Sequence, residues 1–96
     1  MSYGYSARLI AANHRQDDSY LGVKLGRLAI ALDIPVSTIA KTAGVSRQTV
    51  YNWFIGKTDV FVAYQERVDF LLKIMQASKT ADEAWRKICQ AYGLKP

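Results

Sequence analysis

The chain holds one cysteine and one histidine in 96 residues. A lone thiol, Cys89, excludes an internal disulfide framework and a cysteine-rich zinc site, and it suits a reducing cytoplasm. The single histidine, His14, has no Cys, His or carboxylate cluster at ligand spacing, so a surface position is expected and no metal. No apolar run approaches the roughly 20 residues that span a bilayer, and no charged-then-apolar leader opens the chain. Strand alternation, internal repeats and low-complexity segments are absent as well. So are a Ser/His/Asp grouping, a glycine-rich phosphate loop and a carboxylate pair in a plausible cleft. Asp17-Asp18 reads as a capping pair. Neither an enzyme nor a cofactor is expected.

Acid is missing where it matters most. The formal net charge is +5, yet residues 59–96 are close to neutral. Residues 34–58 carry Lys41, Arg47 and Lys57 with no Asp or Glu, and residues 1–15 carry Arg8 and Arg15, again with none. A basic surface of this kind attracts phosphates and gives salt-dependent binding.

What the chain does have is residues 36–55, VSTIAKTAGVSRQTVYNWFI. Ile39, Ala40 and Ala43 give a first short helix a small, apolar face. Gly44 follows where a helix that must stop needs φ > 0. Val45 plugs the corner and Ser46 stands at an N-cap. Val50, Trp53 and Phe54 recur at i, i+3, i+4, the inward face of a second helix. At about 100° per residue, Gln48, Asn52 and Ile55 point the other way, with Tyr51 on the flank and Arg47 and Thr49 by the first turn. Gln and Asn can bond adenine in pairs, and Arg can do so with guanine. A merely solvated face would carry Glu and Lys instead. The spacing predicts a helix-turn-helix whose second helix reads duplex DNA.

The flanks complete an all-α bundle. Residues 1–16 read as an N-terminal arm with an irregular start at Tyr3, Gly4 and Tyr5. Within it Ala7 to Asn13 is open to two readings, a short helix with Leu9 and Ile10 inward or a mobile segment along DNA. Residues 17–96 form the domain. Asp17, Asp18 or Ser19 caps a helix over residues 19–32 with Leu21, Leu25, Leu28, Ala29 and Leu32 inward. Gly22 and Gly26 inside it invite close packing by a neighbour. Pro35 suits the first turn of the next helix. A further helix over residues 60–75 turns Phe61, Tyr64, Val68, Leu71, Leu72 and Met75 inward. Thr80-Ala81-Asp82-Glu83 is a capping box opening a last helix over residues 81–92, which Gly93 stops before Pro96. Asp69 with Lys73, Asp82 with Arg86 and Glu83 with Lys87 stand at i, i+4.

With these residues in place, Leu21 to Met75 resembles the lambda repressor and Cro class of helix-turn-helix domains. Ala40, Gly44, Val50 and Trp53 occupy its fifth, ninth, fifteenth and eighteenth motif positions, and Gly56-Lys57 follows as it often does there. The resemblance implies a compact bundle of about five helices, operator DNA as ligand, and a homodimer on a palindromic site. Carried over by position, it makes Arg47, Gln48, Tyr51 and Asn52 base readers, with Ser46, Thr49 and Lys57 near the phosphates. One departure is Val36, where many members have a glutamine that grips a phosphate. That clamp then comes from elsewhere, with Ser37, Thr38 or Lys41 as candidates, or is absent. Self-association is expected through the C-terminal third, by Phe70, Ile74, Trp85, Ile88, Cys89 and Tyr92. The expected function is a small transcriptional regulator of the phage or prokaryotic type. The alternative is a helix-turn-helix adaptor, such as a DNA-packaging or recombination accessory protein.

Overall fold

Residues 5–17 and 19–93 are described by a computed structural model, and among them there are six helices and no strand. They are α1 (Ala7–His14), α2 (Leu21–Leu32), α3 (Val36–Ala43), α4 (Arg47–Phe54), α5 (Val62–Gln76) and α6 (Ala81–Tyr92). The all-α class is as expected. The count exceeds the expected five because residues 7–14, open to two readings, are a helix. Tyr3, Gly4, Asp18 and Pro96 lie outside the described residues.

Helix α2 is central, packing against α1, α4 and α5. Its two glycines explain how. A Cβ on Gly22 would lie 2.6 Å from Trp53 Cβ, and one on Gly26 would lie 2.8 Å from Phe54 Cγ. The expected close approach is therefore real, and α4 is the neighbour. It shifts the buried stripe of α2 toward the glycine side. Gly22, Val23, Leu25, Gly26, Ala29 and Ile30 are buried, whereas Leu21, Leu28 and Leu32 are half-buried. The cap also differs from expectation. Asp17 Oδ1 accepts from the Ser19 N–H at 3.0 Å, a turn of its own, and the N-cap position falls to Tyr20 with no side-chain bond. Asp33 ends α2 in the left-handed region at φ 56°.

Two residues fasten α1. Tyr5, just ahead of it, is buried, donates its hydroxyl to the Ile34 carbonyl and lies 6.1 Å ring to ring from Phe54. Asn13, at its other end, is fully buried against α2 and α4. Ser6 caps the helix by accepting from the Leu9 N–H at 3.2 Å.

Beyond α4 the chain departs from expectation at one turn. Helix α5 starts at Val62, not Val60, and Phe61 is 71% exposed instead of inward. Val60 takes the core position, its N–H held at 2.8 Å by Asp59 Oδ1, and Phe61 as N-cap lies outside the helical register. Tyr64, Val68, Leu71, Leu72 and Met75 pack as expected, Tyr64 only in part. Thr80 caps α6 by accepting from the Glu83 N–H at 3.1 Å. The other half of the box reaches one residue further back, where Glu83 Oε2 accepts from the Lys79 N–H at 2.9 Å. No helix among the described residues is long and apolar enough to cross a membrane.

Candidate nucleic-acid interface

Between α3 and α4 the glycine stop and the serine cap fall where the sequence puts them. Pro35 is the N-cap of α3, one place before the expected first turn. Gly44 ends α3 at φ 75°, its N–H bonded to the Ala40 carbonyl at 2.9 Å. Arg67 of α5 donates from Nη1 to the Ala43 carbonyl at 3.4 Å, tying α5 to this corner. Ser46 then opens α4, its Oγ accepting from the Thr49 N–H at 3.2 Å and sharing a 3.0 Å hydrogen bond with the Thr49 hydroxyl.

Helix α4 is only eight residues long, and all four of its last carbonyls are held. Val50, Trp53 and Phe54 are buried, and Trp53 stands 6.3 Å ring to ring from Tyr64. The last four carbonyls of a helix have no partner within it. Here the Ile55 N–H takes Tyr51, the Lys57 N–H takes Asn52 at 2.9 Å and the Gly56 N–H takes Trp53 at 3.2 Å. Gly56, at φ 72°, makes this closure possible. Phe54 is left, and Asn13 Nδ2 donates to its carbonyl at 2.7 Å. The same amide nitrogen reaches the Val23 carbonyl at 3.3 Å. With two carbonyls on that side, only the nitrogen fits there, and Asn13 Oδ1 is buried without a partner.

On the opposite side α4 is open. Arg47 and Gln48 are exposed, and Thr49, Tyr51, Asn52 and Ile55 are half-buried. Gln48 Nε2 donates to Asn52 Oδ1 at 3.1 Å. That bond orients both amides and leaves Gln48 Oε1, one Nε2 proton and both Asn52 amide protons free to bond elsewhere.

Around this face the expected phosphate groups sort themselves by burial. Thr38 is buried, whereas Ser37, Lys41 and Lys57 are exposed. A cleft of about 180 Å³ at the start of α3 brings Pro35, Val36 and Ser37 together with Arg47 and Tyr51. Val36 is buried, and the polar groups of this cleft are Ser37, Arg47 and Tyr51. A second, larger groove of about 490 Å³ separates α4 from α1. The described ion pairs, Asp69–Lys73 at 3.1 Å and Glu83–Lys87 at 3.0 Å, are both on α5 and α6. No group of metal-ligating side chains occurs among the described residues.

The residues expected to pair two copies divide in the same way. Ile88 and Cys89 are buried within the single chain, whose α6 packs on α5, and they offer no free surface. Phe70 is 51% exposed, and Ile74, Trp85 and Tyr92 are half-buried. Phe70 and Tyr92 meet edge to face at 6.1 Å.

Sequence reasoning missed Tyr5, Asn13 and Arg67, and it missed that α1 borders the open face of α4. An Asn closing the run Leu9-Ile10-Ala11-Ala12 was the available signal, since its burial needs a partner at a fixed place. No family model matches the chain, and no curated protein or solved structure matches it.

Proposed function

We propose that the chain is a sequence-specific double-stranded DNA-binding protein of the helix-turn-helix kind. In this reading α3 braces and α4 enters the major groove. The observation that carries it is the Gln48–Asn52 amide pair, preset at 3.1 Å on the open face of a helix clamped on its other side. Its free acceptor and donors match the N7 and N6 edge of adenine. Arg47 supplies a guanidinium of the kind that bonds guanine, and Tyr51 flanks the same face. Ser46, Thr49, Ser37, Lys41 and Lys57 surround them as phosphate partners, in a stretch without a carboxylate. Reading one short helix covers only a few base pairs, so two copies would serve a site better, their α4 helices about 34 Å apart. Phe70, with Tyr92, Ile74 and Trp85 behind it, is the proposed contact between copies. Such a protein acts as an operator-binding regulator. The exposure of Phe61 and Val62 favours a second reading, an adaptor that carries DNA to a protein partner.

Binding to random genomic duplexes across a salt series, followed by selection of a preferred site, tests the proposal. Gln48→Ala or Asn52→Ala should weaken the selected site by roughly 1–3 kcal/mol and relax one base preference. Equal weakening on selected and random DNA would refute direct readout by that residue.

A further inference from the structure

We propose that α1 is a second DNA-contacting element, with Arg8 on a phosphate of the strand bordering the groove that α4 enters; this rests on the reading of α4 above. The groove of about 490 Å³ between them is lined by Ser6, Arg8, Leu9 and Ala12 of the α1 side and by Gln48, Tyr51 and Ile55. Those last three lie on the open face of α4, so whatever occupies that face also meets α1.

Size decides where α1 must go. A helix with its side chains is about 10–12 Å across, and the major groove of B-DNA is about 12 Å wide. One helix fills it. With α4 inside, α1 cannot enter beside it and comes to rest over the edge, where the phosphates run. Nor can α1 swing away while folded. The buried Tyr5 and Asn13 fix its two ends to the Ile34, Val23 and Phe54 carbonyls.

The chemistry of the groove fits one strand of a duplex. Arg8 is exposed at its rim, and no carboxylate lines it. A guanidinium can grip a phosphate with two parallel hydrogen bonds. Leu9, Ala12 and Ile55 give the uncharged faces of deoxyribose an apolar wall. Arg15, at the end of the same helix, is exposed but does not line the groove, which makes it an internal control.

The test measures duplex affinity against salt for the parent, Arg8→Ala, Arg8→Lys, Arg15→Ala and Ala12→Glu. Losing one phosphate contact flattens the log–log slope by about 0.9. From 50 to 200 mM salt, the deficit of Arg8→Ala should then shrink about 3.5-fold, equally on selected and random DNA. Arg8→Lys should keep most of the parent slope, and Ala12→Glu should weaken binding by placing a carboxylate in the groove. An unchanged slope in Arg8→Ala, an equal flattening in Arg15→Ala, or parent-like binding by Ala12→Glu would each overturn the proposal. A parent that binds no duplex at all would instead overturn the reading of α4, and this one with it.

Discussion

Helices α4 and α6 are both short and amphipathic, yet they use polar side chains in opposite ways. Helix α6 looks after itself. Thr80 caps it, Asp82 and Glu83 stand in its first turn where the dipole favours acids, and Glu83 pairs with Lys87. Hydrogen bonds from the Lys79 N–H and from Lys87 hold the Glu83 carboxyl below its ordinary range. Helix α4 has no acid in its first turn, and Arg47 is its first residue, the wrong sign for the dipole there. Beyond its Ser46 cap, its stability comes from outside, through Trp53 on Gly22, Phe54 on Gly26 and Asn13 on its last carbonyl. A helix held by others can leave one whole face uncommitted to folding. That division is what a reading surface requires.

The largest test of this contrast is Trp53→Ala. Trp53 is 2% exposed and fitted against Gly22, so the cavity should cost roughly 3–5 kcal/mol in chemical denaturation. Trp85→Ala on the half-buried side of α6 should cost less. The reverse ranking would break the claim that α4 depends on its neighbours more than α6 does.

Next comes Asn13→Ala, which removes the donor to Phe54 and Val23 and leaves the Phe54 carbonyl without a partner, while the Val23 carbonyl keeps its place in the α2 ladder. A loss of roughly 1–3 kcal/mol is expected, with amide exchange speeding up at the end of α4 before it does in α6. Uniform acceleration across all helices would show that Asn13 supports the fold and not α4 in particular.

A third test uses pH. Burial is the main reason the Tyr5 phenol titrates well above its ordinary value, with the nearby Tyr51 and Asp33 adding to it. Because the folded chain holds this proton more tightly, its contribution is complete below the unfolded value of about 10 and is lost as pH rises beyond it. Stability should fall above that pH by at most about 1.4 kcal/mol per pH unit from this group. Tyr5→Phe should be less stable at neutral pH for want of the bond to Ile34, but flatter on the alkaline side. A mutant with the same alkaline limb as the parent would assign that limb to other groups.

Much of α3, α4 and α6 was legible because their signals are local. Ser46, Gly44, Thr80 and Gly93 act within four residues of themselves, and the stripe Val50, Trp53, Phe54 follows from helical period alone. What was illegible depends on distant partners. Asn13 meets Phe54 across 41 positions and Tyr5 meets Ile34 across 29, and no period encodes either. Phe61 failed for a subtler reason. Apolar at the edge of a helix, it fits the inward pattern, and only the choice of Val60 for the core excludes it.

The smallest prediction reverses the usual sign. Lys87→Ala should lower stability slightly, because it unpairs Glu83 and removes a donor to the Ala77 carbonyl at 3.4 Å. This pairing is present above the ordinary glutamate value and is lost as pH falls through the lower folded value. Arg47→Ala should do the opposite, raising stability by roughly 0.3–1 kcal/mol at low salt, since it takes a cation from the positive end of α4 and leaves the best helix former. Salt should shrink both effects. Thermal unfolding of the two mutants at low and high ionic strength makes the comparison. If Arg47→Ala is destabilising, then Arg47 serves the fold as Lys87 does. If it is stabilising and also costs duplex affinity, the arginine is held against the preference of its own helix, as a residue kept for a partner would be.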